Sequence, residues 1–575
     1  MNIEQLTEKE NRTYEDRRLD GSSIIMECLL EQGVDTVFGY PGGKVLNIYD
    51  ALYRYSDRIT HILTSHEQNA AHAADGYARS TGKTGVVIAT SGPGATNLVT
   101  GIATAFMDSI PMVAITGNVP TGLLGLDSFQ EVDITGITMP VTKHNYIVKD
   151  ISKLADTVRE AFAIAGNGRK GPVLIDIPQD ITSAFCSFAN KPATIPEPQK
   201  RFTLDGEITN AAQVITQSRK PFIYAGGGVV SADAQKELER FAELVDAPVS
   251  LSLMGQCAFD NTSERYIGMM GMHGTKTSSL AIGECDLLIV LGSRFSDRVM
   301  CDDSFARHTR VLHIDIDPAE INKNVSVQDN VIGDLKYILS ELNRQIPPQS
   351  HKDWMEQIRA WEKQYPLVMD AGNTQNTVLP NDVMETLDKL TEGKAIITTE
   401  VGQHQMWTAQ FFRFREKGTF LTSGGLGTMG YGLGAAIGAK IGNPDKAVIN
   451  IAGDGSFYMN LTELSTLAKY GIPVVELVMD NRVLGMVRQW QKLFFGGRFS
   501  NTTLEKNTDF RQLAAAFGIE FYEITEKSAI EPTLKAAIEL NKPALVICKI
   551  CEDVNVLPMV PPGGSVLEPI MTIDS

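Results

Sequence analysis

The chain has 575 residues, 43% of them hydrophobic and 21% charged, with a formal net charge of −17. That length calls for three or four domains, each with its own core, and the acidic balance excludes a basic nucleic-acid footprint. No apolar run approaches the ~20 residues of a membrane span, and seven scattered cysteines without framework spacing fit a reducing compartment.

Residues 1–20 carry six acids and four bases and lack the apolar core of a signal peptide. They are expected to form a flexible, solvated arm on a cytoplasmic protein. A first α/β domain is expected over 21–190. Apolar spacing predicts a helix over Ser22–Gly33 and a strand over Thr36–Phe38, then a sharp turn at Gly39–Gly43. Val45–Tyr53 reads as helix and Thr60–Thr64 as strand, followed by Ser65-His66-Glu67-Gln68. Glu67 sits at a strand-to-helix junction, where the helix dipole alone would favour an acid. Gly85–Thr90 is a predicted strand, Ser91–Asn97 a Gly-rich turn, Leu98–Phe106 a helix and Met112–Thr116 another strand. The turn lacks the Gly-Lys-Ser/Thr of a P-loop and reads as tight packing beside a site.

Lys191–Lys200, with three prolines, reads as a stiff linker. A second domain is expected over 206–345. Phe222–Ala225 is its first strand, followed by Gly226-Gly227-Gly228 and an amphipathic helix over Ala232–Val245. Asp286–Leu291 and Val311–Ile316 supply further strands, and His313–Pro318 places acids where a ribose or adenine could bind. None of this names the ligand. Ile346–Pro380 reads as a second linker holding a helix near Trp354–Tyr365. The third domain, expected over 378–556, opens with the strand Ala395–Thr399. Gly424–Gly432 is a Gly-rich turn of the kind that aims backbone N–H groups at an anion, before a small-residue helix.

Within that domain Val448–Ala452 is a predicted strand, Gly453-Asp454-Gly455 a tight turn, Leu461–Lys469 a helix and Val474–Met479 a strand ending in Asp480-Asn481. Parallel strands in a β-α-β unit put both carboxyl ends on one edge, so Asp454 and Asn481 can meet. A carboxylate oxygen, an amide oxygen and the Val483 carbonyl suit Mg²⁺, which keeps its other positions for diphosphate oxygens and water. Gly-Asp-Gly alone is a common turn; its pairing with Asn481 is far more specific. Ala544–Ile550 reads as a strand, and its Cys548-Lys549-Ile550-Cys551 has no second C-x-x-C to complete a zinc site. The tail 557–575 is expected to close as a lid, a disordered terminus being the competing view.

Gly453-Asp454-Gly455 through Asn481 resembles the thiamine-diphosphate signature, with Asp480 where that pattern has a first Asn. Together with Gly39–Gly43, His66-Glu67-Gln68, Gly76–Arg79, Ser91–Asn97, Phe129–Asp133 and Gly171–Pro178, the chain from about Gly21 onward resembles the catalytic subunit of acetohydroxyacid (acetolactate) synthase. The resemblance implies three doubly wound α/β domains with parallel sheets, binding pyrimidine, FAD and diphosphate in turn. It implies thiamine diphosphate, Mg²⁺ and FAD as cofactors.

The resemblance also assigns roles. Glu67 would share a proton with the cofactor's aminopyrimidine, in an apolar pocket that would raise its pKa. Gln130 would hydrogen-bond intermediates. Gln403, His404, Gly427, Gly453, Asp454, Gly455, Ser456 and Asn481 would hold the diphosphate end, and Met429 would pack beneath the bent cofactor. Arg169, Gly226, Gly227, His273, Gly274, Arg294, Asp315 and Asp334 would contact the flavin. Gly43, Phe129, Arg298, Met486 and Trp490 would serve the substrates, Arg298 taking the second ketoacid's carboxylate and Trp490 selecting a larger one. Read without the family, each arginine is a surface ion pair and Trp490 a core aromatic. Ser296 and Gly434 depart from the family's usual Asp and Pro.

The implied reaction decarboxylates pyruvate and joins the two-carbon fragment to a second 2-ketoacid. Implied partners are a second copy of the chain, as homodimer or homotetramer, and a separate regulatory small subunit. An FAD-dependent pyruvate oxidase, a flavin-free acetolactate synthase and a catalytically inactive scaffold are the competing readings.

Overall fold

Three six-stranded parallel sheets organise the computed structural model, which describes residues 17–192, 205–299, 309–369, 377–505 and 508–573. The chain divides into two units. One comprises 1–78 and 83–197 and holds the first sheet; the other comprises 79–82 and 198–575 and holds the remaining two.

The first sheet runs in the order Thr60–Leu63, Thr36–Tyr40, Gly85–Ala89, Met112–Asn118, Pro172–Pro178, His144–Ile147. Numbered along its own stretch, that is 2-1-3-4-6-5. Gly85–Ala89 and Met112–Asn118 are buried at every position, because helices cover both faces of a parallel sheet and strands become unbroken apolar runs.

The middle sheet, from Tyr266–Met269 through Val249–Leu251, Pro221–Ala225, Leu287–Leu291 and Arg310–Asp315 to Asp329–Ile332, has the order 3-2-1-4-5-6 of a doubly wound dinucleotide fold. The third sheet runs Phe420–Leu421, Ile396–Thr399, Val448–Gly453, Val474–Asp480, Ala544–Lys549, Glu520–Ile524. Its order is again 2-1-3-4-6-5. The first and third sheets are thus wound to one plan, and in each the order reverses between strands 1 and 3.

Several stretches differ from the sequence reading. The end of the arm is ordered: Arg17–Asp20 pairs antiparallel with Phe185–Phe188, and Asp20 caps the helix Gly21–Glu31 by accepting from Ser23 N. Residues 1–16 lie outside the described residues, as does most of the first linker. The helix expected from Leu461 begins earlier, as Asp454–Asn460, passes through a tighter turn at Leu461–Glu463 and resumes as Leu464–Tyr470. Asp454 gains from the positive end of that first helix, so the acid turn is helical.

The second linker is partly core. Its helix Lys352–Gln364 buries Trp354 and Trp361 edge-to-face at 5.7 Å, and Trp354 Nε1 donates to Pro221 O at 3.0 Å. The tail packs down as far as Ile570, whose N donates to Met559 O at 2.7 Å: Met559, Val560 and Val566 are buried, and Val560 N donates to Met272 O at 2.7 Å. Cys548 is buried and Cys551 exposed. Among the described residues no helix is long and apolar enough to cross a membrane.

Candidate active site

In the first unit the polar residues gather at the carboxyl edge of the sheet. Glu67 opens the helix Glu67–Thr81 and is half-buried. Asn97 Nδ2 donates to its Oε2 at 3.0 Å, which fixes the carboxylate from the Gly-rich turn. Gly94 is close enough that a Cβ there would lie 3.3 Å from Glu67 Oε1 and 2.7 Å from Thr90 Cγ2. Gly92, at φ +62, lets the turn pass Gln130, since a Cβ would meet Gln130 O at 2.9 Å. Gln130 itself takes φ +59, an unusual value for a residue with a side chain. Thr90 Oγ1 accepts from Lys44 N at 3.2 Å, holding the Gly42-Gly43 turn beside the same strand end. A Cβ on Gly43 would meet nothing within 4 Å, and Phe129 is 83% exposed. Gly43, Glu67, Phe129 and Gln130 therefore share one edge.

In the second unit the strands Ile396–Thr399, Val448–Gly453 and Val474–Asp480 deliver Gln403–His404, Asp454 and Asn481 to the point where the strand order reverses. Ligands of open α/β sheets bind at that point. Asp454 is 4% exposed and its Oδ1 has no hydrogen-bond partner among the described residues. Burial, and next the charge of Asp480, push its carboxyl up to about 7. Asn481 is also buried, and its Oδ1 accepts only a long bond from Val483 N, 3.3 Å. Gly453 pairs with Met479 across the sheet, so this carboxylate oxygen and this lightly used amide oxygen leave neighbouring strand ends, a donor set that a hard divalent cation completes.

His404 is wedged between glycines: a Cβ on Gly453 would lie 2.8 Å from its Nδ1, and one on Gly402 2.8 Å from its Cε1. Burial pushes its imidazole down to about 3, so it is neutral, and Nε2 is buried without a partner. Gly455 faces Leu484, with Met429 Cε 3.9 Å from its notional Cβ, and Ser456 Oγ donates to Gly453 O at 3.4 Å. Gly427, at φ +72, is open to added atoms. These residues leave room and unpaired polar atoms for a phosphate group.

Arg298 and Trp490 are brought together. The guanidinium lies 5.7 Å over the indole, Nη1 reaches Met272 Sδ at 3.3 Å, and Trp490 meets Phe494 edge-on at 5.8 Å. Arg298 is also near Asp297, at 3.7 Å, so the surface-pair reading holds only loosely. Met486 packs on the apolar core of the third sheet from the same helix.

Residues 400–548 match the thiamine pyrophosphate enzyme C-terminal TPP binding domain, 208–342 its central domain and 19–137 its N-terminal TPP binding domain. The acetolactate synthase large subunit of Pyropia yezoensis is 45% identical over 559 residues, 95% of this chain and 94% of its own. A probable acetolactate synthase large subunit of Methanocaldococcus jannaschii is 46% identical, over 96% of each chain. The acetolactate synthase isozyme 2 large subunit of Escherichia coli K12 is 44% identical, over 95% of this chain and 98% of its own.

The chain belongs to the acetolactate synthase large-subunit family of thiamine pyrophosphate enzymes. The expected family, three-domain parallel α/β fold and thiamine-diphosphate-dependent acetolactate synthase activity are borne out.

In this acetolactate synthase chain the structure adds residues that sequence reasoning missed. Glu400 is fully buried and accepts from Asn460 Nδ2 at 2.5 Å, Gly430 N at 2.6 Å and Leu433 N at 3.2 Å. It thereby clamps the Gly-rich turn and the start of the helix Gly432–Gly442; burial pushes its carboxyl up to about 7. Asn450 donates to both oxygens of buried Glu476, at 3.0 and 2.9 Å, and burial pushes Glu476 well up. A single polar residue in the middle of each of two apolar strands was the available signal. Asp480 forms an ion pair with Lys549.

For the flavin the findings divide. A Cβ on Gly226 would lie 2.4 Å from Gly292 O, one on Gly227 3.3 Å from Met254 Cβ and one on Gly274 2.6 Å from Met269 O. Close packing alone accounts for Gly226 and Gly274. Asp334 caps the helix Leu335–Gln345, and Asp315 accepts from Asp317 N at 2.9 Å. Among the described residues His273 Nδ1 and both ring nitrogens of His313 are nevertheless buried without hydrogen bonds, His313 lying 3.7 Å from an Asp315 oxygen and against Phe295, next to Arg294, and these fit a polar ligand. Arg169 lies in the first unit, where its Nε donates to Ser109 Oγ at 2.9 Å.

Proposed function

We propose that this chain decarboxylates pyruvate and joins the two-carbon unit to a second 2-ketoacid. Pyruvate gives 2-acetolactate and 2-oxobutyrate gives 2-aceto-2-hydroxybutyrate, the shared entry to branched-chain amino-acid biosynthesis. The observation that carries the reading is the buried Asp454 Oδ1, partnerless among the described residues, on the strand end next to that of Asn481 in a chain of this family.

Bound thiamine diphosphate supplies the carbon nucleophile and the electron sink for decarboxylation. Asp454, Asn481 and the Val483 carbonyl hold Mg²⁺. Gly427, Gly453 and Gly455 would let backbone approach the diphosphate, Ser456 and the backbone N–H of Gln403 at its helix start would offer polar contacts, neutral His404 would present its ring nitrogen, and Met429 would pack against the cofactor. Glu67, oriented by Asn97, holds and returns a proton at its carboxylate. Gln130 hydrogen-bonds the reacting group and Phe129 and Gly43 border it. Arg298 takes the carboxylate of the second ketoacid, with Trp490 and Met486 as the wall that measures its side chain. Excluding water favours ligation over release of an aldehyde.

His273, His313 and Asp315 support a flavin on the middle sheet, with Arg294 beside them; the net reaction is not a redox one, so its role is structural. The chain is proposed to act in the cytoplasm as a homodimer or homotetramer with a regulatory small subunit. Purified chain with thiamine diphosphate, Mg²⁺, FAD and mixed ketoacids should yield acetohydroxyacids. Acetate formation with oxygen uptake would instead identify a pyruvate oxidase.

A further inference from the structure

A carboxamide side chain is a cation ligand only when its oxygen, and not its nitrogen, faces the ion. The planar group fits a cavity either way round, so hydrogen bonding decides. For Asn481 that decision can be followed back to the main chain. Val556 presents a backbone N–H and a C=O, whose polarity cannot be exchanged. Gln489, 2% exposed, meets both: its Oε1 accepts from Val556 N at 2.9 Å and its Nε2 donates to Val556 O at 2.9 Å. Turned over, it would set donor against donor and acceptor against acceptor.

With Gln489 fixed, its Oε1 also accepts from Gln403 Nε2 at 3.0 Å, and that nitrogen donates to Val554 O at 3.0 Å. Gln403 is thereby fixed too, and its Oε1 faces Asn481 Nδ2 at 3.4 Å. The nitrogen end of Asn481 is thus occupied, and its oxygen, which also accepts a long bond from Val483 N at 3.3 Å, is turned the other way with capacity to spare. Gly485 makes the meeting possible, since a Cβ there would lie 1.9 Å from Gln403 Oε1 and 2.9 Å from Asn481 Nδ2.

We propose that Gln489 and Gln403 are a polarity relay through which the backbone at Val554 and Val556 orients the Asn481 amide oxygen toward the cation. Gln489 is a positioning residue in this scheme, and the proposal rests on Asp454 and Asn481 being the cation ligands.

The test is Mn²⁺ binding, followed by electron paramagnetic resonance on the full chain with saturating thiamine diphosphate. Asp454→Asn should weaken Mn²⁺ at least about tenfold; an unchanged affinity would overturn the cation site itself, whatever the relay does. Gln489→Met keeps the volume and removes every bond, and should weaken Mn²⁺ about tenfold. Asn481→Asp supplies a ligand with no wrong end, so in that background Gln489→Met should cost less than about twofold. An equal loss in both backgrounds, or an affinity for Gln489→Met within about twofold of wild type, overturns the relay. Should Gln489→Met fail to fold, Gly485→Ala breaks the same chain at Gln403: a similar loss of Mn²⁺ affinity upholds the relay and an unchanged affinity refutes it.

Discussion

At the scale of single residues the candidate site buries two neighbouring acids, Asp454 and Asp480. Asp480 is 4% exposed, raises the carboxyl of neighbouring Asp454 and is balanced by Lys549. Lys549→Met should therefore destabilise the cofactor-free chain by roughly 1–3 kcal/mol, because a buried charge loses its partner. Mg²⁺ with thiamine diphosphate should restore more stability to the variant than to wild type, read from denaturant midpoints; equal restoration would separate Asp480 from the cation.

Glu400 gives a pH signature. Its folded carboxyl is raised from 4.5 to about 7, so the native state holds a proton that the unfolded chain has lost, and stability falls as pH rises through that window. Glu476 pushes the same way. Glu400→Gln should flatten the decline in melting temperature between about pH 5 and about pH 8, and an unchanged slope would remove Glu400 as its source.

Asp454 and Asn481 were legible because strand ends and turn residues mark them in the sequence, whereas Glu67, an acid that a helix start favours by itself, was singled out only by the family resemblance. Lys549 and Gln489 were not. Lys549 lies 69 residues from Asp480, and Gln489 67 from Val556, so only the folded sheet reveals what they touch.

At the scale of elements, apolar runs bounded by glycine located the strands, since a strand buried on both faces cannot be much else. Helix starts were less legible. Gly453-Asp454-Gly455 has the composition of a loop, yet helical hydrogen bonding begins at Asp454. The helix Gly485–Phe494 shows how much one element can carry. Gln489 is buried toward the tail, Val487 is 51% exposed, and Trp490 turns its ring to Arg298. Trp490→Leu should cut the preference for 2-oxobutyrate over pyruvate about tenfold in mixed-ketoacid competition, because side-chain packing in an apolar pocket discriminates on that order. A competition ratio equal to wild type would assign Trp490 to packing alone.

At the scale of the molecule, two sheets share the order 2-1-3-4-6-5, and the middle sheet has another. The proposed proton-handling group, Glu67, sits on one copy of the shared plan and the proposed cation ligands, Asp454 and Asn481, on the other. If each catalytic centre draws Glu67 from one chain and Asp454 from a second, co-expressed Glu67→Gln and Asp454→Asn chains should regain activity that neither has alone. One of the two centres in a mixed dimer then carries no lesion. Absence of recovery in a verified mixed dimer would place both groups of a centre on one chain.

Gln403 and Gln489 find their fixed partners at Val554 and Val556, close to the carboxyl terminus. A proteolytic cut between the strand Ala544–Lys549 and Val554 leaves every strand of the third sheet in place and frees both glutamines from the backbone that sets them. Nicking there should therefore abolish Mn²⁺ binding before the sheet itself unfolds.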